Sequence, residues 1–165
     1  MEVNRRIIFK AIENNNLPQI KSLIEAGVNI ETRNEWRETL LMHAIKENKF
    51  DIVEFFINTG ANIEAKDAYD HTPLMFASCK GYKKIVAFLL DNGARINAKN
   101  TWGDTPLMIT VLNDHKELAE FLISKGANVN VKNKLGETPL MVMRILNDYK
   151  EITKILLASK VKEEN

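Results

Sequence analysis

Thr72-Pro73-Leu74-Met75 returns 33 residues later as Thr105-Pro106-Leu107-Met108 and again as Thr138-Pro139-Leu140-Met141, with Thr39-Leu40-Leu41-Met42 one step earlier. A second marker keeps the same step: Gly27-Val28-Asn29, Gly60-Ala61-Asn62, Gly93-Ala94-Arg95 and Gly126-Ala127-Asn128. A fixed period of this length confines the chain to a stack of like units. Each is too small to bury its apolar face alone and closes it against its neighbours.

One unit can be read residue by residue. Thr72 before Pro73 sets a capping hydroxyl at the N-cap and a proline at N1, where the missing N–H has no helical partner to lose. A first helix through Leu74, Met75, Phe76 and Ala77 meets Gly81, whose counterparts are Asn15, Asn48 and Asp114, all residues that tolerate the left-handed conformation that ends a helix. A second helix carries Ile85, Val86, Leu89 and Leu90 at helical spacing and is capped by Gly93. Arg95 to Asp104, rich in Asn, Asp and Gly, reads as a hairpin-like turn leading to the next unit.

The set Asp67, Thr72-Pro73-Leu74, Ala77, Gly81, Ile85-Val86, Leu89-Leu90 and Gly93-Ala94 resembles the ankyrin repeat. The resemblance spans essentially the whole chain and divides it into five units near residues 1–33, 34–66, 67–99, 100–132 and 133–165, the first and last degenerate caps, within a single domain over 1–165. It implies an all-α solenoid of helix-turn-helix units joined by β-hairpin-like turns. It also implies a concave surface, formed by turn tips and first helices, that binds other proteins.

Departures from that family carry their own expectations. The family usually places His after Thr-Pro-Leu; here the column is Phe9, Met42, Met75, Met108 and Met141, which predicts that neighbours are held by adaptable apolar burial rather than by a hydrogen-bond ladder. The turn glycine of Gly103 and Gly136 is Arg37 and Asp70 in earlier units, so the Arg37 turn is expected to deviate. Arg6-Ile7-Ile8-Phe9 replaces the Thr-Pro-Leu-Met motif in the first unit. One residue is inserted between Met141 and Leu146, which predicts a bulged or lengthened helix, with Lys160 at the capping position and a fraying tail from Lys162.

Charge and composition narrow the function. Lys and Arg total 23 against 22 Asp and Glu, so a net charge of +1 offers no field for nucleic acid or an anionic membrane. With 45% apolar and 27% charged residues the chain reads as an ordinary folded protein. Cys79 is its one cysteine, which excludes an internal disulfide and fits a reducing, cytoplasmic setting. Met1 to Lys10 lacks the apolar run of a secretory signal, and no segment has the length of a membrane span.

Catalytic constellations are not found. His43, His71 and His115 fall at different positions of different units and are not expected to converge; no histidine is expected to activate Cys79; and the glycines never cluster as a phosphate-binding loop. The expectation is a non-enzymatic protein with no cofactor and no metal.

One pattern does point to a ligand. The third residue of each turn is Trp36, Tyr69, Trp102 or Leu135, a ladder in register. Interfaces enrich Trp and Tyr because they bury large rigid area at low entropic cost, although rings folded onto adjacent turns would also help stack the array. Glu38, His71, Asp104 and Glu137 flank the ladder, which predicts a mostly acidic rim, and Leu112 lies further along the groove. The predicted partner-binding set is therefore Trp36, Tyr69, His71, Trp102, Asp104, Leu112 and Leu135, and the expected ligand is another protein bound by a monomeric chain. A regulatory or inhibitory subunit of an enzyme and a self-assembling scaffold are the alternatives.

Overall fold

The computed structural model describes residues 2–144, which form nine helices joined by turns. They are α1 (Glu2–Glu13), α2 (Leu17–Glu25), α3 (Leu40–Lys46), α4 (Phe50–Asn58), α5 (Pro73–Cys79), α6 (Lys83–Asp91), α7 (Pro106–Leu112), α8 (Lys116–Ser124) and α9 (Pro139–Arg144). The insertion near Leu146, Lys160 and the tail lie outside the described residues.

The starts and stops follow the local chemistry. Thr39 and Thr105 accept the N–H of Met42 and Met108 at 3.3 and 3.4 Å. At Thr39 the thioether of Met42 faces the Thr39 N–H at 3.4 Å, so this methionine answers the cap from its side chain as well. Thr72 differs from the expectation. The Met75 N–H donates to the Thr72 carbonyl at 3.0 Å, and the Thr72 hydroxyl is left buried without a partner. Asn15, Asn48, Gly81 and Asp114 all take positive φ, between 54° and 70°, as the helix-ending column requires.

Packing is in two layers. The first helices stack in chain order, α1 on α3, α3 on α5, α5 on α7 and α7 on α9, while α2, α4, α6 and α8 each pack behind the first helix of their own pair. Leu41, Leu74 and Leu107 lie fully inside one layer, and Phe56, Leu89 and Leu122 oppose them from the other. Met42, Met75 and Met108 are buried as the sequence predicts, each worth about 1.5–3 kcal/mol of burial. Met141 is exposed.

Apolar burial does not act alone, which corrects the expectation that no hydrogen-bond ladder joins the units. The N–H groups of Ala68, Thr101 and Lys134 donate to the carbonyls of Trp36, Tyr69 and Trp102, at 3.1, 2.9 and 2.9 Å. A second ladder runs from the N–H groups of Asn62, Arg95 and Asn128 to side-chain oxygens of Glu31, Glu64 and Asn97, at 2.7, 2.8 and 2.9 Å. Arg33 and Lys99 add side-chain bonds to the carbonyls of Lys66 and Lys132. The family's histidine column is replaced, but turn backbone and a periodic Glu/Asn column supply the bracing.

Candidate functional site

The turns are built by one polar side chain each. Asn34, Asp67, Asn100 and Asn133 turn an oxygen inward to accept the N–H groups two and four residues on, at 2.8–3.0 Å. Each also donates its own N–H to the carbonyl four residues on, closing the hairpin. The residue two positions after that Asn or Asp is the tip, so its backbone N–H is bound within its turn. At Trp36, Tyr69 and Trp102 the carbonyl is bound to the following turn.

Arg37 does not make its turn deviate. It adopts φ 63°, close to the 62° of Asp70, and keeps the turn hydrogen bonds of its neighbours, with Arg33 donating to its carbonyl at 2.7 Å. The strain of a side chain in the left-handed region, about 1–2 kcal/mol, is carried by the surrounding bonds. Gly103 takes the same place at φ 82°, where a Cβ would stand 3.0 Å from the Lys134 nitrogen.

The tips are held yet open to solvent. Trp36, Tyr69, Trp102 and Leu135 are 56%, 52%, 49% and 81% exposed, and Leu112 is exposed on the last turn of α7. The predicted residues fall into groups. Tyr69 and Trp102 stack with centroids 5.5 Å apart and planes 22° apart, and His71 lies 6.1 and 5.6 Å from those rings. Phe76 of α5 meets His71 edge-on at 6.0 Å; sequence reasoning did not single it out, although it directly follows the buried Met75. Trp36 stands apart from this cluster and pairs with Lys46, whose ammonium lies 5.9 Å from the ring centroid.

The acidic rim is partly spent internally, a correction to its reading as free charge. Glu38 is buried, bound by Lys46 at 2.8 and 3.0 Å and by the Asn34 amide at 2.6 Å. His71 is tied through Nδ1 to Asp67 at 3.0 Å. Asp104 and Glu137 share the Asn133 amide nitrogen at 2.9 and 3.0 Å and have no cationic partner among the described residues.

Beside Trp36 an open cleft of about 960 Å³ runs between α1 and α3, lined among others by Val3, Arg5, Ile7, Phe9 and His43. Arg5 bridges to Glu35 at 3.3 Å across it. His43 packs edge-on against Phe9, with both ring nitrogens buried and without hydrogen-bond partners. Burial pushes its imidazole below the ordinary histidine range, against the opposing pull of Glu47, Glu13 and Glu38. The Lys10 ammonium, hydrogen-bonded to Glu13 at 2.8 Å, holds that carboxyl below the usual range.

The three histidines sit in separate places, and among the described residues no three of His, Cys, Asp and Glu gather as a metal-holding group. His115 reaches Cys79, but through its carbonyl: Nε2 lies 2.9 Å from that oxygen, while the thiol is directed at Asn113, 3.9 Å away. Among the described residues, no helix is long and apolar enough to cross a membrane.

The family model of ankyrin repeats, which covers three copies, matches residues 8–100 and 95–165. With that match over most of its length and a helical stack of this kind, the chain belongs to the ankyrin-repeat family, whose members are generally protein–protein interaction modules. No curated protein matches the chain.

Proposed function

We propose that this protein binds another protein on the face formed by its turn tips and first helices, with no chemistry of its own. One observation carries the reading. Trp36, Tyr69 and Trp102 have their backbone fixed on both sides, yet half of each residue remains exposed. A rigid, half-open aromatic row loses little freedom on association, so its buried area converts to affinity more efficiently than that of a loop that must order first. The Tyr69–Trp102 stack supports the array too, by about 0.5–1.5 kcal/mol, so both roles coexist at this pair.

The test is affinity capture from the source cells with the purified chain, run beside a tip variant and an outer-helix variant. Trp36→Ala is expected to lose a partner that Glu120→Ala on α8 retains, while light scattering reports one 18.8 kDa chain before the partner is added. A partner retained by Trp36→Ala and lost by Glu120→Ala would move the binding face to the other layer. Self-association at working concentration would favour the scaffold alternative.

A further inference from the structure

The two tryptophan turns share a plan; Trp102 is covered on one face by Tyr69 and Trp36 is not, and beyond that they differ in their charges. In the first, Trp36 is followed by a carboxylate two residues on, Glu38, and by a cation eight residues beyond that, Lys46. Lys46 binds Glu38 at 2.8 and 3.0 Å and stands 5.9 Å from the Trp36 ring, so indole and carboxylate hold one positive charge between them. The turn of Tyr69 keeps neither charge: His71 and Cys79 take those positions. The turn of Trp102 restores the indole and the carboxylate, as Trp102 and Asp104, but Leu112 stands where the lysine was. Among the described residues no lysine or arginine lies over Trp102 or bridges to Asp104. Asp104 is oriented by the Asn133 amide, which it shares with Glu137, so two carboxylates converge here with no countercharge among the described residues.

We infer that Trp102 and Asp104 receive an arginine side chain of the partner, which takes the place that Lys46 fills internally at Trp36 and Glu38. This rests on the partner-binding reading of the same face and names the chemistry of one contact within it. Arginine fits better than lysine. Its flat guanidinium can lie on the exposed indole while its N–H groups reach the carboxylate, and it sheds water more readily than an ammonium. Leu112, exposed at the end of α7, offers apolar surface to the aliphatic stem of the same side chain.

The chain has two tryptophans, so its two indole N–H signals in a nitrogen-15 NMR spectrum report the filled and the open arrangement separately. The probe is N-acetyl-arginine methylamide, with the neutral citrulline analogue as control. The expected result is a saturable shift of the Trp102 indole at least about fivefold larger than that of Trp36, weakened by a similar factor with citrulline. Asp104→Asn and Leu112→Lys should each remove it, the second by supplying the internal cation. Leu112 is exposed and Asp104 half-buried, and melting curves check that both variants stay folded. Equal shifts at the two indoles, equal shifts with citrulline, or a shift that survives Leu112→Lys would overturn the assignment. With a captured partner, Leu112→Lys should weaken binding at least about fivefold. Binding that withstands Leu112→Lys but is lost in Trp102→Ala would remove the arginine and leave the surface reading standing; binding that withstands both would remove the surface reading at this turn.

Discussion

Replacing Asn100 by alanine removes the side-chain oxygen that accepts the N–H groups of Trp102 and Asp104, at 3.0 and 2.9 Å. Asn100 is buried, so water replaces those bonds poorly, and a net value near 1 kcal/mol for each gives a loss of about 2 kcal/mol. At a urea dependence of about 2 kcal/mol per molar, the unfolding midpoint should fall by about 1 M. The pattern of partners sharpens the expectation. Asn34 and Asn133 donate their amides to an acid four residues on, Glu38 and Glu137, whereas Asp67 is paired with His71. Asn100→Asp alone should therefore destabilise by placing a carboxylate near Asp104. Asn100→Asp combined with Asp104→His transplants the pair found at Asp67 and His71 and should return stability to within about 0.5 kcal/mol of the parent. A loss below about 0.5 kcal/mol for Asn100→Ala, or a double variant no more stable than Asn100→Asp, would refute the role given to this side chain.

Other positions can be tested by the same unfolding assay. Gly81→Ala must hold φ 70° and would bring its Cβ within 2.7 Å of the His115 ring. A cost above the bare conformational strain of about 1–2 kcal/mol is expected, and the excess should vanish in a His115→Ala background; an equal cost in both backgrounds would dismiss the contact. Arg37→Gly relieves a side chain held at φ 63° and should gain up to about 1 kcal/mol, whereas destabilisation would mean that the arginine side chain contributes more than its strain costs. The depressed His43 pKa means that the unfolded chain takes the proton first, so the stability contribution of His43 is complete above the ordinary histidine range and is lost as pH falls through it. Between about pH 7.5 and 5, the parent should therefore lose more stability than His43→Phe; parallel pH profiles would count against a buried neutral imidazole.

Much of this architecture was legible because it is written in backbone conformation and apolar periodicity. The column of Asn15, Asn48, Gly81 and Asp114 announces a left-handed residue by its residue types, and each takes that conformation. The tips of Trp36, Tyr69 and Trp102 were legible as well, since a repeated ring has few places to go in a short turn. What escaped notice was polar and cooperative. The ladder from Glu31, Glu64 and Asn97 keeps the 33-residue step but changes chemistry from carboxylate to amide, and only the shared ability to accept a hydrogen bond unites it. Glu38 looked like a free rim charge because its partner, Lys46, lies eight residues away on a helix; burial of the carboxylate beside that half-buried lysine followed from geometry that the sequence does not state. The idle Thr72 hydroxyl is of the same kind: the N–H it was expected to cap is bound by the Thr72 carbonyl instead.

In the proposed function the aromatic row is held in place by its turns while its exposed surface serves a partner. Trp102→Ala measured for both properties in one preparation tests it most directly, with calorimetric titration of the captured partner set beside urea unfolding of the free chain. The expected result is at least a 30-fold loss of affinity, roughly the 2 kcal/mol that defines a hot spot, and no more than about 1.5 kcal/mol lost from stability with the Tyr69 stack. Unchanged affinity together with a stability loss well beyond that stack would contradict it, because the ring would then be a brace of the fold and nothing more.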